Sequence, residues 1–303
     1  NTAPTDVDVV RKGNERVLRA RLNDAKFYFE SDIKKPLVDR VSALKGVVFQ
    51  AKLGTSFEKV ERFTSLALFL GAKVGFSRPL EAGEVPADFA SDAFNPARYD
   101  PKSIDPGLFS KYILGRAALL AKADLTSGVV GEFPSLQGIM GSIYANRGGE
   151  AQDVSVAIYE HYLPSSSGGA LPASLAGALV SIADKMDTIA GCFSVGLIPT
   201  GAQDPYALRR QSLGIIAIVL DKGFRLDMGE LVDEALSLLS TKATKSKDEI
   251  REGVLDFFKE RLRNQLLTQG LSHDSIDAVL SAAWHDMNDA VKRIKALEEF
   301  KTN

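Results

Sequence analysis

The stretch that most constrains this chain runs from Leu175 to Ile198, its longest apolar segment, and carries Asp184, Lys185 and Asp187 in its middle. Three charges there make a bilayer span very costly. The segment therefore predicts a buried helix of a soluble protein whose interior has to satisfy those charges. At 303 residues, with 45% hydrophobic content, the chain is long enough for two domains with ordinary buried cores.

Helical signals dominate elsewhere. Leu37, Val41, Leu44 and Val48 recur at three- and four-residue steps, and Val60, Phe63, Leu66 and Leu70 repeat the pattern until Gly71, where it should stop. Only the opening reads as strand: Val7, Val9 and Val10, a turn at Lys12-Gly13-Asn14, and a return through Val17-Leu18. Pro79, Pro86, Pro96, Pro101 and Pro106 break any long helix between Phe76 and Gly107, marking an inserted surface excursion. Helix resumes from Leu108 to Val130, Ser165-Ser166-Ser167-Gly168-Gly169 is a flexible connection, and Pro172 to Val195 is helical again. The next helix has Asp204 as N-cap, Pro205 in its first position and Gly223 as its stop. Asp227 opens another through Leu239. Thr241 to Lys245 is a polar break, Ser246 with Glu249 forms a capping-box pattern opening a helix to Gly270, and Ser272 and Asp286 begin the last two. The fold class is mainly α, with at most a short N-terminal β-hairpin and a domain boundary near 225–245.

Lysine plus arginine (37) nearly balances aspartate plus glutamate (39), so a polyanion would have to be met by a local patch. The one cysteine, Cys192, excludes an internal disulfide and a cysteine-based zinc site, and its apolar neighbours suit a buried thiol better than a nucleophile. His161, His273 and His285 are isolated and read as surface or capping residues. No Ser-His-Asp or Cys-His set can be argued from spacing, and the glycine-rich phosphate loops are absent. The opening Asn1-Thr2-Ala3-Pro4-Thr5 lacks a charged leader with an apolar core and reads as interior to something longer.

Leu120-Ala121-Lys122-Ala123-Asp124-Leu125 resembles the histidine-aspartate (HD) helix of metal phosphohydrolases with alanine in place of the metal-binding histidine. Ile182-Ala183-Asp184-Lys185-Met186-Asp187 resembles the helix that brings the last carboxylate to such a site. Those sites need imidazoles beside the carboxylates to hold a transition metal selectively, and no histidine precedes His161. Ala123, Asp124, Asp184 and Asp187 are therefore vestigial positions, and no metal or catalytic residue is expected. Asp124 and Asp184 either accept hydrogen bonds and pair with Lys122 and Lys185, or join Asp187 in holding a hard cation with water completing the shell.

Arg209 and Arg210 sit near the positive N-terminal end of their helix, where cations are mildly unfavourable. Either they pair internally with Asp204, Asp184 or Asp187, or they meet a phosphate. Lys259, Arg261 and Arg263 form a second basic cluster, with 259 and 263 on one helix face and 261 pointing elsewhere; it reads as a solvated face or as an RNA contact.

Several runs together resemble the beta subunit of the bacterial two-subunit glycyl-tRNA synthetase: Gly13 to Val17, Arg21 to Ala25, Val48 to Gly54, Lys122 to Leu125, Gly131 to Gly141, Ala183 to Asp187, Gly196 to Gly201, Asp204 to Arg210 and Phe257 to Arg263. The resemblance implies a connecting segment (1–35), a degenerate HD-like helical domain (36–235, with 76–107 inserted) and the start of an anticodon-binding bundle (236–303). It implies binding of tRNA(Gly), which shifts Arg209, Arg210, Arg261 and Arg263, with Lys259, toward phosphate contact. It also implies association with the alpha subunit, where ATP and glycine are handled, with no cofactor on this chain, no DNA, no membrane and a bacterial cytoplasmic setting, an organellar source staying open. A divergent metal-dependent nucleotide phosphohydrolase is the alternative.

Overall fold

The computed structural model describes residues 7–81, 83–201 and 203–302; Asn1 to Thr5 lie outside them. The architecture is mainly α. The described helices are α1 (Val7–Asp32), α2 (Ser56–Lys73), α3 (Pro106–Leu120), α4 (Gly128–Glu132), α5 (Ile139–Arg147), α6 (Gln152–Glu160), α7 (Leu175–Ser194), α8 (Leu208–Asp221), α9 (Met228–Ser237), α10 (Lys247–Thr268), α11 (His273–Ala282) and α12 (Met287–Thr302). A two-stranded antiparallel ribbon pairs β1 (Val48–Gln50) with β2 (Gly54–Thr55).

The expected N-terminal hairpin is a helix instead. Residues 7–32 form one continuous α1. The valines favour a strand, but the run from Arg16 to Lys26 is rich in helix formers, and ion pairs between Arg11 and Glu15 and between Lys26 and Glu30 support the turns. Gly13 costs roughly 1 kcal/mol without breaking it. The pattern 37–48 also divides. Leu37, Val41 and Leu44 are buried on a 3-10 helix (Leu37–Gly46), whereas Val48 leaves it to pair with Thr55 in the ribbon.

The α2 stripe matches the sequence pattern, with Val60, Phe63, Leu66 and Leu70 buried, and Thr55 and Glu58 close a reciprocal cap at its start. Gly71 does not end this helix, which runs on to Lys73. Its bare backbone is required by packing: a β-carbon there would sit 2.5 Å from Leu114 Cδ2 and from Ser77 Oγ. The expected helix 108–130 is broken after Leu120, where a 3-10 turn (Ala123–Thr126) carries Asp124 inward before Ser127 caps α4.

Six of the described helices are arranged around α7. Ser174 caps it, and every residue from Ala176 to Ser194 is buried. Helices α2, α3, α6, α8, α9 and α10 all pack on it. One buried apolar cluster continues from Leu37 to Ile294, across the polar break at 241–245. Among the described residues, no helix is long and apolar enough to cross a membrane.

Candidate functional site

Helical spacing places Asp184 and Asp187 three residues apart on one face of α7, turned toward α2. There they meet cations. Lys59 Nζ lies 2.9 Å from Asp184 Oδ1, 3.1 Å from Asp187 Oδ2 and 2.8 Å from Thr188 Oγ1. Arg62 donates to both Asp187 oxygens, at 2.6 and 3.1 Å. Lys122 Nζ takes the other oxygen of Asp184 at 2.9 Å and rests 3.9 Å above the Tyr162 ring. Burial opposes the charge of Asp184, but Lys122 and Lys59 outweigh it and hold the carboxyl well below its usual range. Two ammonium groups thus occupy the oxygens that a divalent cation would need.

Asp124 serves a different purpose. Its Oδ2 accepts the backbone N–H groups of Gly138 at 2.6 Å and Gly141 at 3.0 Å, so a carboxylate faces the N-terminus of α5. Burial raises its pKa, and those two amides offset only part of the rise. Ala123 is fully buried in the adjoining 3-10 turn. Asp124, Asp184 and Asp187 are therefore met by N–H groups and ammoniums, while Oδ1 of Asp124 and Oδ1 of Asp184 stay buried without a hydrogen bond. Among the described residues no group of three or more His, Cys, Asp or Glu side chains is placed to hold a metal ion.

Two residues differ wholly or partly from their sequence reading. Among the described residues Lys185 pairs with no carboxylate; its Nζ donates to His161 O (3.1 Å), Leu163 O (2.9 Å) and Ser181 Oγ (2.7 Å). With only neutral acceptors in contact, burial lowers its pKa to about 7. His161 is the C-cap residue of α6, its backbone N–H donating to Ala157 O, and it is not a surface residue. It is fully buried, its Nδ1 contacts Ile158 O, and burial, with Lys122 nearby, keeps the ring neutral. Cys192 is buried as expected, its thiol pushed up to about 12.

Lys59, Lys122, Asp184, Lys185 and Arg210 line one cavity of ≈ 480 Å³, together with Phe49, Tyr162 and Tyr206. Pro164 and Arg210 also border a larger cleft of ≈ 820 Å³ between the 166–171 loop, α8 and α10. That cleft collects Arg209, Arg210 and Arg261, the Ser166-Ser167-Gly168-Gly169 loop and the amides of Asn264, Gln265 and Gln269. Neither Arg209 nor Arg210 forms an ion pair with a described residue. Asp204 is not their partner because its carboxylate accepts the backbone N–H groups of Leu208 (2.7 Å) and Arg209 (2.9 Å). Sequence reasoning placed Asp204 and Pro205 as N-cap and first helical residue; the helix begins at Leu208, with Ala207 as N-cap and Asp204 reaching forward to its open amides.

The second basic cluster scatters. Arg261 enters the cleft, its guanidinium 3.6 Å from the Phe257 ring centroid and bonded to Phe257 O and Glu260. Burial lowers its pKa, and Arg209 adds to the effect. Arg263 is held bidentately by Asp277, at 2.6 and 2.8 Å. Lys259 borders a separate hollow with Asp227, Trp284 and His285.

The sequence reading missed Lys59 and Arg62. Their signal was present: the three- and four-residue steps of α2 place Lys59 beside Phe63 and Arg62 beside Leu66, on the side that packs inward. A charge on an apolar stripe calls for a buried partner.

The family model for the glycyl-tRNA synthetase beta subunit matches residues 1–281, and the chain belongs to that family. It is 51% identical over 303 residues to the glycine–tRNA ligase beta subunit of Geobacter metallireducens, covering 100% of this chain and 39% of the relative. The corresponding subunit of Syntrophus aciditrophicus is 48% identical over the same length, and that of Geobacter sulfurreducens 51% over 301 residues. The chain spans 39% of the length of each of these relatives.

Proposed function

We propose that this chain is a tRNA-binding part of a glycyl-tRNA synthetase, helping the beta subunit to position tRNA(Gly) for aminoacylation by the separate alpha subunit. In this reading ATP and glycine belong to the alpha subunit, the setting is the bacterial cytoplasm, and residues 36–235 form an HD-like domain that leads into the start of an anticodon-binding bundle. The observation that carries the proposal is the convergence of Arg209, Arg210 and Arg261 on one cleft, with the first two lacking any acidic partner among the described residues. Three arginines against the one acid of this cleft, Glu260, which pairs with Arg261, leave a positive concave surface that calls for an anion. Planar guanidinium groups suit phosphate oxygens, and amides and hydroxyls along the same walls add backbone contacts that position RNA without reading its sequence.

Filter binding of tRNA(Gly) to the chain tests this. Arg209→Gln or Arg210→Gln should weaken binding about five- to tenfold, the loss of one charged contact of roughly 1–1.4 kcal/mol. Arg263→Gln should not, because Asp277 already holds that guanidinium. Equal effects at all three positions would remove the cleft from the proposal. The alternative of metal-dependent hydrolysis finds no support in a site whose Asp184 oxygens each face an ammonium group.

A further inference from the structure

The ≈ 480 Å³ cavity over the vestigial carboxylates has a composition that salt bridging does not use up. Lys59, Lys122, Lys185 and Arg210 line it against a single acid, Asp184. Lys122 pairs with Asp184, Lys59 is divided between Asp184 and Asp187, Lys185 spends its donors on three neutral oxygens, and Arg210 has no acidic partner among the described residues. The cavity therefore carries uncompensated positive charge within low-dielectric walls, where an anion is strongly attracted. Its remaining lining is of another kind. The partly buried rings of Phe49 and Tyr206 and the amides of Gln137 and Gln211 offer flat apolar surface beside hydrogen-bonding edges. A volume of ≈ 480 Å³ is the size of an ordinary small-molecule site.

We propose that this cavity binds a free nucleoside monophosphate, with the phosphate on Arg210 and the base against Tyr206. Because Arg210 borders both this cavity and the arginine cleft, a phosphate bound here draws it away from RNA, so the ligand weakens RNA binding. The coupling rests on the RNA reading of the cleft; the binding of the nucleotide does not. Linkage makes the effect reciprocal: RNA weakens the nucleotide by the same factor.

Isothermal calorimetry of the 303-residue chain with adenosine 5′-monophosphate tests the site, with adenosine and inorganic phosphate as separate arms. The monophosphate should bind more tightly than either part. Arg210→Gln should weaken it by about fivefold, the loss of one charge-assisted contact, while leaving adenosine unchanged. Tyr206→Leu should weaken the monophosphate and adenosine alike. Absence of binding at millimolar concentration, or binding indifferent to both substitutions, overturns the assignment. Saturating monophosphate should reduce tRNA affinity to a plateau in the unaltered chain and not in Arg210→Gln. A loss of tRNA affinity that continues without a plateau would mean that the ligand displaces a nucleotide of the RNA itself, overturning a site for a free nucleotide. A chain that binds no tRNA defeats the reading of the cleft while the calorimetry still decides the cavity.

Discussion

Removing one member of the buried charge cluster should have an effect that depends on which charges remain. Lys59, Lys122 and Arg62 supply three positive charges to the two negative charges of Asp184 and Asp187, and Lys122 and Asp184 have side chains only 9% and 12% exposed. Lys122→Met leaves two cations on two acids, with Asp184 still held by Lys59 at 2.9 Å, so its cost should be small for a buried pair, about 2 kcal/mol. Asp184→Asn leaves three cations on one acid and strips Lys122 of its partner, so it should cost about 4 kcal/mol, within the range for breaking a buried pair. Combining them removes the stranded ammonium. The double variant should be more stable than Asp184→Asn alone, by about 1 kcal/mol, which puts the coupling near 3 kcal/mol. Urea unfolding at neutral pH measures this, provided the dependence on denaturant is unchanged among the four proteins. The pH dependence follows from the depressed pKa of Asp184. Its contribution is present above the ordinary carboxyl value of 3.8 and is lost only as pH falls through the lower folded value, so the gap to Asp184→Asn should close in strong acid. A double variant destabilised by the sum of the single effects would refute the charge-cluster reasoning.

Lys185 should confer a slope of the same sign in a different, more alkaline window. Its folded pKa is about 7 against an ordinary 10.5, so between those values the unfolded chain holds a proton that the folded chain has lost, and stability should rise with pH by a few kcal/mol; Lys185→Met should flatten that rise in denaturation curves taken across the window. Gly71→Ala should destabilise by about 1–3 kcal/mol despite alanine's better helix propensity, because its methyl would overlap Leu114 and Ser77, and a thermal melt showing a gain would contradict the packing. Manganese or zinc added to the chain should leave its melting temperature unchanged, since ammonium groups already occupy the Asp184 oxygens; a stoichiometric, stabilising ion would contradict that.

The parts of the fold legible in the sequence are those where local pattern and tertiary packing agree. The charged centre of α7 signalled a buried helix, and the caps at Asp227, Ser246 and Ser272 each opened the helix they were assigned. The N-terminal valines misled because helix formers downstream decided the segment, and the helix expected from Leu108 to Val130 broke where Asp124 turns in to meet α5. At the site, the pairing of Lys122 with Asp184 was one of two readings that the residues allowed. Lys59 and Arg62 were invisible to motif reading because they come from another helix more than a hundred residues away. Spacing likewise could not separate Arg261 from Arg263. Both are basic and two residues apart, and only the tertiary structure shows that Asp277 on α11 holds Arg263 bidentately while Arg261, paired with its neighbour Glu260, borders the cleft.

The central claim is that a basic cleft beside a neutralised carboxylate site grips RNA through its phosphates. Its most direct test is the salt dependence of tRNA(Gly) binding by the chain, and in parallel by the complete two-subunit synthetase, with and without Arg209→Gln/Arg210→Gln. Each lost phosphate contact should lower the slope of log K against log salt by about 0.7–0.9, so the double substitution should flatten it by roughly 1.5. A slope and an affinity that do not change would show that the cleft does not touch the RNA.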